Sequence, residues 1–180
     1  MGALPSAADS AAFVALRRPQ NGADHAFATE AAPYLQQLIS EQGLNLAGAR
    51  EVITSPVGRA GLIPGNASLC YVSVSQALGT VTMCLPHGWP ATHHGFGFMG
   101  NDRAQALVGG VVPDSIGKLT FTDAAGAVTE ATLNTDNAYL MALPARPVTM
   151  TLHSTDGQTE QQQLPRPFPG RSNAGQGDSL

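Results

Sequence analysis

The sequence predicts a mainly β protein of the α+β kind, an antiparallel β-sandwich carrying one or two N-terminal helices and a disulfide-stapled hairpin. Three observations predict it. Leu69 to Leu85 reads as a β-hairpin with the only two cysteines of the chain near its ends. From Ala106 onward, short β-branched and aromatic runs alternate apolar with polar residues between turn signals, as strands with one buried face do. Ahead of both, Thr29 to Gln42 carries apolar residues at helical spacing.

In the hairpin, Val72, Val74, Thr80, Val81 and Thr82 favour a pleated surface, and Gly79 supplies a turn residue. A turn centred on Ala77 sets Cys70 opposite Cys84, Val72 opposite Thr82 and Val74 opposite Thr80. Facing residues lie about 4.5–5.5 Å apart at Cα, a spacing that a disulfide accepts. Two buried free thiols are the competing reading. Two cysteines without CxxC or HxxxH do not make a zinc set.

The 180 residues divide into an N-terminal arm with a short helix (1–28), one globular β-rich domain (29–157) and a tail (158–180). Net charge is −4 and no basic patch stands out, which leaves nucleic-acid binding without an electrostatic basis. Charged residues make up only 12% of the chain, about half the usual share. No apolar run is long enough for a transmembrane segment, and the first 20 residues lack the charged and apolar regions of a secretory signal. A disulfide therefore implies that this is the ectodomain of a longer precursor, whose signal or anchor lies outside this chain.

In chain order, Ser6 to Arg18 predicts one short helix with Ser6 or Asp9 as N-cap and Pro19 as its stop. Asn21 to Ala28 reads as a loop. In the helix Thr29–Gln42, Ala31, Tyr34, Leu35, Leu38 and Ile39 share a face, Pro33 sits in the first turn and Gly43 closes the end. Arg50 to Thr54 is a short strand, and Leu62-Ile63-Pro64-Gly65-Asn66 a turn. Asn66-Ala67-Ser68 matches a glycosylation sequon and is read as part of that turn.

Pro86 to Gly100 (PHGWPATHHGFGFMG) concentrates Gly, His and aromatic residues. It admits two readings. His87, His93, His94 and Asp102 are candidate catalytic or metal-ligating groups, because neutral imidazoles serve as general bases and ligands. Alternatively, the segment crosses the surface, packs Trp89, Phe96 and Phe98 on the core and turns its histidines to water. Adjacent His93 and His94 point to opposite sides of an extended segment, which disfavours one shared ion.

The remaining strands are Ala106–Val112, Lys118–Thr122, Ala127–Leu133, Ala138–Leu143 and Val148–Ser154. Leu119 and Phe121 alternate with Lys118, Thr120 and Thr122; Val148, Met150 and Leu152 alternate with Thr149, Thr151 and His153. From Gln158 the composition predicts a largely disordered tail. The chain has no GxSxG, P-loop, GxGxxG or HExxH signature, so no cofactor and no metal set is assigned.

Leu16-Arg17-Arg18-Pro19 with Ala23-Asp24, Ile63-Pro64-Gly65 leading to Leu69-Cys70, and Val108-Gly109-Gly110-Val111-Val112-Pro113-Asp114-Ser115-Ile116 occur together. The combination resembles extracytoplasmic, usually membrane-anchored proteins of high-GC actinobacteria, whose third motif reads Gly-Xaa-Val-Pro-Asp-Gly-Val. Here Ser115 stands where Gly is usual. The resemblance implies an immunoglobulin-like β-sandwich, paired cysteines and an extracytoplasmic home, and it implies no catalytic residues.

The expected function is a non-enzymatic binding or sensory module at the cell envelope, its partner an unknown protein or envelope ligand. The alternatives are a metal-dependent or His-based hydrolase using the 87–102 loop, and a structural or assembly subunit.

Overall fold

Alternating apolar side chains on the strands leave each sheet with a face to bury. In the computed structural model, which describes residues 2–102, 105–164 and 178–179, three antiparallel sheets do so by stacking. The protein is mainly β, as predicted. The first sheet is a meander of β1 (Arg50–Ser55), β2 (Gly58–Pro64), β3 (Ser68–Ser75) and β4 (Gly79–Pro86). The middle sheet holds β5 (Phe96–Asp102), β6 (Gln105–Val111) and β9 (Ala138–Leu143), with β12 (Asp178–Ser179) beside β5. The outer sheet runs β11-β10-β7-β8, from β7 (Ile116–Asp123), β8 (Val128–Ala131), β10 (Pro147–Ser154) and β11 (Thr159–Gln163).

The middle sheet is buried on both faces. Phe96, Phe98, Ala138 and Leu140 pack with Leu62, Leu69 and Tyr71 of the first sheet. Met99, Val108, Tyr139 and Leu143 pack with Leu119, Phe121, Met150 and Leu152 of the outer sheet. On its far side the first sheet buries Cys70, Val72 and Ile63 under Phe27, Ala31 and Leu35. Those three come from the helical segment of α3 (Gly22–Ala31), a 3₁₀ turn (Ala32–Tyr34) and α4 (Gln36–Gln42).

The predicted hairpin register holds throughout: Cys70 faces Cys84, Val72 faces Thr82 and Val74 faces Thr80. Cys70 and Cys84 are bridged, and their Cα atoms lie 4.0 Å apart. Gly43 closes α4 in the left-handed conformation at φ 63°, where a side chain would be strained.

Several expectations are corrected. The segment 21–28, read as a loop, belongs to α3: Asn21 caps it and Asp24 returns a bond to the Asn21 N–H, a capping box. The predicted single helix 29–42 is broken by Pro33, which sits in the 3₁₀ turn rather than the first turn of a helix. Leu62 to Pro64 extend β2, and the turn begins at Gly65. Val148 is 37% exposed because the register shifts between Pro147 and Thr149 and turns it outward. The tail was expected to lack structure from Gln158, yet Thr159–Gln163 forms β11 on the edge of the outer sheet; residues 165–177 and 180 lie outside the described residues.

The helix predicted for 6–18 splits into α1 (Ala7–Ala12) and α2 (Val14–Arg17). Tertiary contacts break it. Asp114 inserts at the joint, its N–H donating to the Ala12 carbonyl at 2.8 Å and its Oδ1 accepting from the Val14 N–H at 3.1 Å. Phe13, fully buried, drops between the sheets against Phe96.

Candidate functional site

The histidine-rich segment is distributed rather than convergent. His87 sits between two acceptors: Nδ1 lies 2.7 Å from Asp9 Oδ2 and Nε2 3.0 Å from the Gly65 carbonyl. Asp9 is fully buried and also accepts from the Gly88 N–H and the Ser6 hydroxyl. This buttress ties α1 to the start of α5 (Trp89–Thr92). His93 stacks on Trp89, with ring centroids 4.0 Å apart, and its Nδ1 faces the Trp89 carbonyl. His94 Nε2 meets Glu160 of β11 at 2.7 Å. Asp102 ends β5; its side chain lies outside what the structure describes. Among the described residues no group of three or more His, Cys, Asp or Glu could hold a metal ion. Phe96 and Phe98 enter the core as expected, but Trp89 is 41% exposed, because left-handed Gly88 at φ 80° and the short turn after it carry the indole outward.

The sequence motifs meet elsewhere. Arg18 and Asp24 form a two-pronged ion pair, Nη1 to Oδ2 at 2.7 Å and Nη2 to Oδ1 at 2.9 Å. The same two side chains grip the open edge of β1. Asp24 Oδ1 accepts the Glu51 N–H at 2.8 Å, and Arg18 Nη2 donates to the Glu51 carbonyl at 2.6 Å. One acceptor and one donor, side by side, are what a neighbouring strand would present. Beside them Asn134 Nδ2 donates to the carbonyl of Val52, the residue at which β1 bulges, at 2.6 Å. The third motif closes the set: Asp114 pairs with Arg17 at 2.5 Å and accepts from Asn137 Nδ2 at 3.0 Å. Arg17 in turn donates to the Ser10 and Ala11 carbonyls near the end of α1.

Of these, Arg18, Glu51, Val52 and Asn134 line an open cleft of about 360 Å³, together with Asn21, Thr54 and Asp136 among others. Burial alone would raise the Asp24 carboxyl. The Arg18 guanidinium and the N–H groups of Asn21 and Glu51 overcome that and hold it below the ordinary carboxylate range. Asp136 is the opposite case: burial raises its carboxyl, and Arg18, with Nε 3.5 Å away, only partly offsets it. Glu51 is held by Arg59 and Thr54, and Arg59 also reaches Glu30 at 2.6 Å.

Of the predicted site residues whose side chains are described, only the cysteines come together. Asp9, Glu51, Asn134 and Asp136 were missed as site residues, since partners from 27 to 118 residues away in the chain define them. One signal was present: Asn21-x-x-Asp24 is a capping-box spacing. Comparison with known proteins finds no matching family model, no matching curated protein and no matching solved structure. No helix among the described residues is long and apolar enough to cross a membrane.

Proposed function

We propose that this chain is a non-enzymatic binding or sensory module that works outside the cytoplasm at the cell envelope. The observation that carries the reading is the arginine–carboxylate cleft, where the motif residue Arg18, paired behind with buried Asp24, lies beside Asp136. A cleft that mixes donors and acceptors and is braced from behind suits recognition of a polar ligand. The Cys70–Cys84 bridge, with no free cysteine among the described residues, supports an oxidising compartment. Each imidazole of the 87–102 segment is engaged by its own neighbours, which favours binding over hydrolysis.

The test is an NMR titration of the isotope-labelled protein with soluble cell-wall saccharides and peptides. Shifts at Asn21, Thr135 and Asp136, abolished by Asp136→Ala in a folded protein, are the expected result. Catalytic turnover of any of these compounds would overturn the reading. For the compartment, thiol alkylation of protein taken from its native host should add no mass until the sample is reduced. Two alkylated thiols before reduction would place it in a reducing compartment.

A further inference from the structure

We infer that β4 is a docking edge for a second copy of this chain, joining two first sheets into one continuous antiparallel sheet across a two-fold axis. Unpaired sheet edges template strand addition, and proteins blunt those they do not use. Four other edges, those of β1, β8, β11 and β9, are blunted. β1 carries a bulge and is capped by Arg18, Asp24 and Asn134. β8 is only 4 residues long and holds Glu130, and β11 holds Glu160 between glutamines and a threonine. β9 lies against β1.

Among the described residues β4 has no bulge, no charge and no side-chain cap, and the α5 that follows and lies against it is only 4 residues long. The strand runs for 8 residues without a charge, pairs with β3 without a register shift, and has Pro only at its last position. From Thr80 to Leu85 every residue is half-buried, whichever face it points to, whereas Leu69 to Ser73 on β3 are buried. Water entering through one face would give alternation. Uniform partial exposure comes from the side, along the strand's own edge. The disulfide pins this strand to β3, so the edge is held ready rather than formed on encounter.

The direction of its backbone groups follows from two distances. Cys70 and Cys84 have Cα atoms 4.0 Å apart, the close spacing of a facing pair without mutual hydrogen bonds. Beyond the strand end, the His87 N–H donates to the Ala67 carbonyl at 3.2 Å, so odd-numbered positions bond toward β3. The N–H and C=O groups of Thr80, Thr82 and Cys84 therefore point away from β3. A two-fold axis through Thr82 sets Thr82 opposite Thr82 and Thr80 opposite Cys84, two hydrogen bonds to each pair, with Val81 facing Met83 on the core side. An axis through Met83 instead sets Thr80 against Pro86, which has no N–H to give.

A second copy suits this edge because β4 carries no charge, so two chains of net charge −4 meet here without opposing like charges. The pairing is isologous and closes as a dimer.

Sedimentation equilibrium of the full chain from micromolar to millimolar concentration should show a monomer–dimer equilibrium. Amide exchange in the wild type should slow by about tenfold or more at Thr80, Thr82 and Cys84 as the dimer fills, with no change at Val81 and Met83. Thr82→Pro removes the central donor and should leave a bridged, folded monomer. A monomer at every concentration overturns the proposal, as does a dimer in which those three amides exchange freely. A strand of another protein seated on β4, while the chain alone stays monomeric, overturns it too. The wild-type exchange measurement stands even if the proline variant does not fold.

Discussion

Replacing Asp24 with alanine tests whether the arm is held by the ion pair that caps β1. The carboxylate is fully buried and accepts from Arg18 at 2.7 and 2.9 Å and from the N–H groups of Asn21 and Glu51 at 2.8 Å each. Its removal leaves the buried Glu51 N–H without its acceptor, at a cost of about 1–3 kcal/mol. It also removes half of a capping box, worth about 0.5–1 kcal/mol. Breaking a buried pair costs about 3–5 kcal/mol in all, and because Arg18 is 24% exposed and regains some hydration, the lower part of that range applies. We expect a loss of about 3–4 kcal/mol in non-reducing urea denaturation, from a total of about 5–15 kcal/mol. At about 2–4 °C per kcal/mol, Tm should fall by roughly 10 °C. The Asp24 carboxyl lies below its ordinary 3.8, so its contribution is present above that pH and is lost as pH falls through the folded value. The deficit of the variant should therefore shrink in acid. A loss below about 1 kcal/mol at neutral pH, the value of a solvated surface pair, would refute the capping account.

Three further substitutions probe the core, a helix start and the cleft. A Cβ on Gly110 would stand 2.2 Å from the Phe96 carbonyl oxygen and 2.7 Å from the Tyr139 hydroxyl. Gly110→Ala should cost about 1–3 kcal/mol or more in urea denaturation, while Gly22→Ala, with open space at its Cβ, should be neutral or gain up to about 1 kcal/mol; equal effects would contradict the packing described. The Asp136 carboxyl is raised above 3.8, so its ionised form is disfavoured in the folded protein, a penalty absent in acid that appears as pH rises through 3.8 and is complete above the folded value. Asp136→Asn should accordingly raise Tm at neutral pH and leave it unchanged near pH ~3; a lower Tm at neutral pH would mean that attraction to Arg18 outweighs burial.

Local physics determined much of this protein from the sequence alone. The hairpin was legible because strand pairing repeats every two residues around a short turn, so one turn position sets every facing pair, the cysteines included. Leu119, Phe121, Met150 and Leu152 were legible as buried for the same reason. The helix boundaries were legible only where they are set within the chain, as by left-handed Gly43. Tertiary structure decided the rest. The break at Phe13 depends on Asp114, 100 residues beyond Val14. Arg18 and Asp24 were visible as a motif, but their role was not, because it needs the open edge of β1, which exists only once the first sheet has formed. His87, His93 and His94 are near in sequence, yet Asp9, Trp89 and Glu160 draw them apart. Spacing along a chain fixes what neighbouring residues do together; which distant partner satisfies a buried charge is settled by the stacking of the sheets.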